Sequence, residues 1–341
     1  MKTPVFAIDV GYGFTKYAYR STNGSEKTAM FPSLAPPAAC RAPLADSERM
    51  LTARNVVTIS IDSVEYEVGP DIPITAAYGR TGRSLVDDYA LTDNYAALLF
   101  GAIHFAGVTH IDCLVLGLAV HNLERHAAEL KERFVGEFNF GPGRVEIGKV
   151  AIIPQPLGSL ALAANGTAGG FQRDDAYLVV DVGYFTTDWL YANAFMIDSN
   201  RSGGISGGTS QIYQRIAGLI SRDEGEEVDD IERIDKALRE NMPFFFYGKS
   251  INLAPYVALV APIISNVVAE IQNCVGRLSQ VRSIILTGGG AALYATAIRR
   301  AFPRVRVEII NSPSIANARG FLVVGETGLT RERRAAKTTT S

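Results

Sequence analysis

The chain repeats itself at half its length. Ala7-Ile8-Asp9-Val10-Gly11-Tyr12 lines up with Val179-Val180-Asp181-Val182-Gly183-Tyr184, and Asp9 and Asp181 stand 172 residues apart in a chain of 341. At the same offset Thr15 matches Thr187 and Tyr19 matches Tyr191. Each copy is an apolar run, an Asp-x-Gly turn and a second apolar run, the pattern of a β-hairpin. Two half-length domains carrying one hairpin each imply duplication, with the two turns expected to face each other across a cleft.

The remaining segments alternate between strand and helix, which indicates an α/β fold. Residues 56–61, 64–68, 113–118 and 145–153 read as strands, and 89–105 and 123–134 as helices, the former capped by Thr92 or Asp93. Residues 21–55 read as irregular. In the second half Thr209 is expected to cap a helix to about 220, residues 222–240 form a charged, exposed subdomain, and 256–278 is the longest helix. A strand at 283–287, a helix at 291–301, a strand at 305–310 and a helix at 315–324 close the chain.

Composition removes other classes. With 47% hydrophobic and 20% charged residues, collagenous and largely disordered chains are excluded. No run of 18 apolar residues occurs, and Met1-Lys2-Thr3-Pro4 enters a strand without a leader-like apolar region. The formal net charge of −2 supplies no global basic field for nucleic acid. Arg331, Arg333, Arg334 and Lys337 make the end of the chain basic, read as a solvated terminus. Cys40, Cys113 and Cys274 form no CxxC pair, and His104, His110, His121 and His126 show no metal-ligand spacing.

An Asp at a strand end followed by Gly suits phosphate chemistry. The turn presents backbone N–H groups as an anion nest, and the carboxylate can hold a hydrated Mg²⁺ that bridges to phosphates. Ile284-Ile285-Leu286-Thr287-Gly288-Gly289-Gly290-Ala291 adds a strand-to-helix junction that a ligand can approach closely. That junction is not a dinucleotide fingerprint, because Leu293 occupies the last glycine position of GxGxxG. Gly248-Lys249-Ser250 is not a P-loop, because Pro243 replaces the first glycine.

In this order and spacing the motifs resemble those of the actin/sugar-kinase/chaperone ATPase superfamily. Asp9-Val10-Gly11-Tyr12-Gly13 is similar to its first phosphate motif, Asp181-Val182-Gly183-Tyr184-Phe185-Thr186-Thr187 to the second, and residues 286–291 to the adenosine motif. Pro154-Gln155-Pro156-Leu157-Gly158 and Ala316-Asn317-Ala318-Arg319-Gly320-Phe321 resemble the two connecting segments. Phe31-Pro32-Ser33, Asp93-Asn94-Tyr95 and Leu116-Gly117-Leu118 point to the ParM/StbA and archaeal-actin-like group, and within it to the ParM-type proteins of plasmid PRTRC cassettes. Ala119 departs from the group, which usually has Pro there, a change in strand packing.

The resemblance implies an actin-like, ribonuclease H-like duplicated fold. Lobe I would span 1–158, with a small subdomain at about 30–85, and lobe II 159–312, with one at about 215–255. A helix at 313–328 would return toward lobe I, ahead of a flexible tail at 329–341. It implies ATP or ADP with Mg²⁺, the metal held by Asp9 and Asp181. Gly11, Tyr12, Gly13, Gly183, Tyr184, Phe185 and Thr186 would contact the phosphates, Lys16 would add charge, and Gly288, Gly289 and Gly290 would underlie the adenosine. Gln155 would orient the attacking water, with Thr187 and Asp188 near the same network.

The function implied is a slow, Mg-dependent ATPase that polymerises with itself in the cytoplasm. Its task would be plasmid segregation through a DNA-binding adaptor on a plasmid centromere, with neither a direct nucleic-acid site nor a membrane. A non-polymerising ATP-binding scaffold and a small-molecule kinase on the same fold are the alternatives; a kinase needs a carboxylate base and specificity insertions that are not evident.

Overall fold

The computed structural model describes residues 1–38, 54–73, 86, 88–166, 171 and 174–339. Cys40 and part of the subdomain expected at 30–85 lie outside the described residues. The chain divides into two compact units, 1–170 with 315–341, and 171–314.

In the first unit, β1 (Lys2–Val10) and β2 (Phe14–Arg20) form the hairpin of the first repeat, extended by β3 (Glu26–Pro32). A separate hairpin joins β4 (Val57–Ile61) to β5 (Val64–Val68). Helix α1 (Asp93–Ala106) starts where the Thr92 hydroxyl accepts from the Tyr95 N–H, so Thr92 is the cap. Strand β6 (His110–Leu118), helix α2 (Leu123–Arg133), strands β7 (Gly136–Asn139) and β8 (Arg144–Pro154), and helix α3 (Gln155–Gly166) follow. The sheet runs β3-β2-β1-β6-β8-β7, with β1, β6 and β8 parallel. Their carboxyl ends therefore share one edge, where open α/β sheets bind ligands.

The second unit repeats the arrangement. β9 (Ala176–Val182) and β10 (Thr187–Asn193) form the second hairpin, and β11 (Met196–Ile197) and β12 (Gly203–Ile205) both pair with β10. Helix α4 (Thr209–Glu224) leads to α5 (Ile231–Arg239) and to the hairpin of β13 (Phe244–Phe246) and β14 (Lys249–Ile251).

The long helix expected at 256–278 is two helices, α6 (Ala254–Leu259) and α7 (Ala261–Val275). Pro262 has no N–H for an interior helical bond, and it sits in the first turn of the second helix, where none is needed. Strand β15 (Val281–Thr287), helix α8 (Ala291–Ala301) and strand β16 (Arg306–Ile309) complete the unit. Its sheet runs β11-β10-β9-β15-β16, with β15 parallel to β9. The stretch 222–240 is not uniformly exposed: Glu232 and Asp235 are buried.

Helix α9 (Ala316–Thr339) belongs to the first unit. Phe321, Leu322 and Ala318 pack with Val5, Ala7, Cys113 and Val115 beneath the sheet. Where α9 meets α3, a Cβ on Gly320 would lie 1.7 Å from the Gly158 carbonyl oxygen, so the two helices touch backbone to backbone. The Ser159 hydroxyl donates to Asn317 Oδ1 at 2.6 Å across the same contact. Arg20 clamps Glu326 through two hydrogen bonds, and Lys149 pairs with Glu332. The helix thus continues through residues 329–339, a stretch of strong helix formers such as Arg331-Glu332-Arg333-Arg334-Ala335-Ala336-Lys337.

Candidate functional site

In the first unit Asp9 lies near the end of β1, only 3% exposed, with both carboxylate oxygens engaged. Lys16 stands opposite it in the hairpin register and donates from Nζ to Oδ2 at 3.1 Å. To get there the Lys16 ammonium passes where a Cβ on residue 11 would sit, 2.8 Å away, so Gly11 makes the pairing possible. Gln155, the first residue of α3, donates from Nε2 to Asp9 Oδ1 at 3.0 Å. A carboxylate can only accept, so the amide nitrogen must face Asp9, and the amide oxygen is the end turned to other partners.

The turn itself is braced from outside. The Gly11 N–H closes on the Phe14 carbonyl at 3.1 Å. Ser33 donates from Oγ to the Gly11 carbonyl at 2.6 Å and from its N–H to the Gly13 carbonyl at 2.9 Å. Tyr12 stacks on Tyr89 with ring centroids 4.7 Å apart and donates its hydroxyl to the Val86 carbonyl.

The second unit builds the same turn with a different floor. The Gly183 N–H closes on the Thr186 carbonyl at 2.9 Å, matching Gly11 and Phe14 in the first copy. Asp181, 8% exposed, stands opposite Asp188, whose carboxylate accepts from the Thr186 hydroxyl at 2.8 Å. The segment before α4 is woven into the turn: the Gly208 N–H donates to the Phe185 carbonyl, Thr209 to Gly183 and Ser210 to Tyr184, all between 2.8 and 3.0 Å. A Cβ on Gly208 would meet the Tyr184 carbonyl oxygen at 2.5 Å. Gly208 therefore occupies the N-cap, and Thr209, expected there from the sequence, is the first helical residue.

The glycine junction after β15 packs on the same turn. Gly288 has a φ of +83°, and a Cβ there would lie 2.3 Å from the Val182 carbonyl oxygen and 2.4 Å from Asp181 Oδ1. The Gly290 N–H donates to the Val182 carbonyl at 2.9 Å. Gly289 differs: its open side meets only Ser314 Oγ, 3.9 Å from a built Cβ.

Both halves of the chain match family models. The N-terminal domain of actin-like proteins matches residues 7–158, and the C-terminal domain of the archaeal actin homologue MreB-like family matches residues 179–300. The chain belongs to the actin-like proteins. Solved structures agree on the fold. The archaeal actin homologue Ta0583 superposes with a TM-score of 0.75 at 19% identity, covering 95% of this chain and 99% of its own. Its complex with ADP gives 0.74 at 21% identity, covering 96% and 100%. A protomer of the 15-stranded ParM filament from Clostridium botulinum gives 0.73 at 19%, also covering 96% and 100%. No curated protein sequence matches the chain.

For this actin-like protein the residues singled out in the sequence fall into two groups. Asp9, Gly11, Tyr12, Gly13, Lys16 and Gln155 gather at the carboxyl edge of the first sheet. Asp181, Gly183, Tyr184, Phe185, Thr186, Gly288 and Gly290 gather at that of the second. Sequence reasoning missed three supports. Ser33 braces the first turn from a segment noticed only by resemblance. Gly207-Gly208-Thr209-Ser210 braces the second, and its density of glycines before a helix was the available signal. Glu232 accepts from the Tyr184 hydroxyl at 2.5 Å and is buried inside a stretch that reads as surface. Next to it, Tyr213 bonds to both Thr209 and Asp235; burial first, and then Asp235, push its phenol far above the usual tyrosine range.

Proposed function

We propose that this actin-like protein binds ATP with Mg²⁺ through its two duplicated turns, hydrolyses it slowly, and assembles into filaments while the triphosphate is bound. The observation that carries the reading is the pair of buried aspartates, Asp9 and Asp181, each at the same position of a glycine turn at a sheet's carboxyl edge. Relatives of the same fold support it: Ta0583 was solved with ADP, and the Clostridium botulinum ParM as a filament.

The chain's groups suit Mg²⁺, which keeps several waters and needs only one or two carboxylates besides phosphate oxygens. Asp9 and Asp181 supply hard carboxylate oxygen donors of the kind Mg²⁺ takes. Bound there, the metal would neutralise charge on the β- and γ-phosphates. Gly11 and Gly183 spend their N–H groups closing the turns, so their contribution is clearance for the phosphates, with Lys16 adding positive charge.

Hydrolysis joins a water oxygen to the γ-phosphorus and breaks its bond to the β–γ bridging oxygen. Gln155, fixed through its Nε2 by Asp9, would hold that water with its amide oxygen. An amide orients a water without taking its proton, so the rate is set by positioning and stays slow. The biological task proposed is plasmid segregation through a DNA-binding adaptor, consistent with a chain whose net charge is −2.

Sedimentation tests the reading. Purified protein is expected to pellet with Mg²⁺ and ATP and to stay soluble with ADP or no nucleotide, and Asp181→Ala is expected to abolish pelleting. A protein that binds ATP and never pellets, even at high concentration, leaves a non-polymerising scaffold as the better account.

A further inference from the structure

The tyrosine after the glycine is repeated in both turns, and in neither copy does its hydroxyl stay at the turn. Tyr12 donates to the Val86 carbonyl at 2.8 Å, 74 positions along the chain. Tyr184 donates to Glu232 Oε1 at 2.5 Å, 48 positions along. Each ring also packs on a second tyrosine, with centroids 4.7 Å apart for Tyr12 and Tyr89 and 6.3 Å for Tyr184 and Tyr213. In both units the side chain is a strut from the turn to a distant segment of the same unit.

The two struts end on different chemistry. Val86 offers an uncharged carbonyl, whereas Glu232 offers a buried carboxylate in the first turn of α5. A hydrogen bond to an ionised acceptor is about twice as strong as a neutral one. Helix α5 does not need that carboxylate in order to pack, because Ile234 and Ala237 already lie in the core of the second unit. An apolar side chain at 232 would be less costly to bury than a charge, so the value of the carboxylate lies in where it aims its bond. One turn along α5 the buried Asp235 bonds Tyr213 and is held by Arg239 Nε at 2.9 Å. Two carboxylates on neighbouring turns of one helix thus grip the two packed tyrosines, Tyr184 from the turn and Tyr213 from α4.

We infer that Glu232 is a positioning residue for the second turn: through the Tyr184 hydroxyl it sets Gly183-Tyr184-Phe185 in the conformation that receives phosphate. This inference rests on the nucleotide binding proposed above and adds a residue to that site. The N–H groups of Gly208, Thr209 and Ser210 fix the carbonyls of Phe185, Gly183 and Tyr184, and the bond to Glu232 fixes the remaining handle, the Tyr184 side chain. Glu232 is itself anchored. The adjacent Arg233 bonds the Phe245 carbonyl and lies over the Phe244 ring, 5.3 Å from its centroid, which ties α5 to the β13–β14 hairpin. A turn held in this way is ordered before a ligand arrives, so binding carries less of the cost of ordering it.

The test is isothermal titration of the full chain with ATP and Mg²⁺, with urea unfolding of each variant alongside. Glu232→Ala should weaken ATP binding about tenfold, the loss of one hydrogen bond to a charged group. Tyr184→Phe should weaken it equally, and the double variant no further, because both changes remove the same bond. Glu232→Gln keeps an accepting oxygen and should restore most of the affinity. A loss in Glu232→Ala that Tyr184→Phe does not share, or that Glu232→Gln does not relieve, means that Glu232 acts on the ligand by its own charge and overturns the assignment. A lowered unfolding midpoint with unchanged ATP affinity also overturns it, since the bond is then a joint of the fold alone. A wild type that binds no ATP takes down the nucleotide reading itself, and that result is seen before any variant is compared.

Discussion

Lys16 neutralises Asp9 across the first hairpin, whereas at the equivalent position of the second hairpin Asp188 stands opposite Asp181. The duplicated frame therefore carries an ion pair in one copy and two carboxylates in the other. Asp9 is held by a cation from the facing strand, while the residue facing Asp181 is itself a carboxylate that accepts from the Thr186 hydroxyl. That asymmetry gives the turns separable roles and makes their substitutions distinguishable.

Lys16→Met removes one partner from a buried carboxylate and leaves Gln155 as the other. The loss of a charge-assisted bond in this setting is worth about 1.5–3 kcal/mol. Urea unfolding without nucleotide should show that loss, and ATP affinity should fall as well. An unchanged unfolding midpoint sinks the claim that Asp9 depends on Lys16.

Gly288 and Gly289 are neighbours with opposite expectations. Gly288→Ala places a Cβ 2.3 Å from a carbonyl oxygen in left-handed backbone and should cost about 1–3 kcal/mol of stability, whereas Gly289→Ala meets no protein atom nearer than Ser314 Oγ at 3.9 Å and should leave stability close to unchanged. Urea unfolding without nucleotide separates them. Equal effects of the two changes refute the packing argument.

Most of this frame was readable in the sequence because it rests on local patterns. Asp-x-Gly between apolar runs produced both hairpins, and Ile284-Ile285-Leu286-Thr287 ahead of three glycines marked the junction. What was hidden depends on contacts between distant segments. Ser33 reaches Gly11 across 22 positions and Glu232 reaches Tyr184 across 48, and neither leaves a periodic trace. Thr209 looks like a cap, but the crowding of Tyr184 against residue 208 decides the cap by sterics. The 256–278 helix failed for a local reason that was visible, since Pro262 stood inside the apolar stripe.

Two buried tyrosines set an alkaline limit. Burial pushes Tyr294 up to about 12, against the opposing pull of the Thr187 hydroxyl, and burial with the neighbouring Tyr19 pushes Tyr17 up to about 12. The fold favours the neutral phenol in both cases. Their stabilisation is therefore complete below pH 10, the ordinary tyrosine value, and is lost as the pH rises through about 12. Unfolding free energy should decline over that window, with part of the tyrosinate absorbance appearing only as the chain unfolds. Tyr294→Phe should soften the decline at the expense of the hydroxyl's bond to the Gly207 carbonyl. Smooth, early ionisation of every tyrosine in a still-folded protein contradicts this.

The crossing of α3 and α9 ties stability to the proposed hydrolysis. Gly320→Ala inserts a Cβ 1.7 Å from the Gly158 carbonyl oxygen, and backbone on both sides leaves nothing flexible to yield. The helices must separate, at a cost of about 3 kcal/mol or more. Gln155 is the first residue of α3, three positions before the contact, so displacement of that helix also moves the amide away from Asp9. Hydrolysis should then fall further than ATP affinity, since Asp9 and Lys16 sit on the hairpin and stay in place. Gln155→Ala should reproduce the loss of hydrolysis at a smaller cost in stability, that of its one hydrogen bond to Asp9. If Gly320→Ala lowers the melting temperature and leaves the hydrolysis rate per bound nucleotide intact, the helix crossing is a structural joint alone, and Gln155 is positioned by something else.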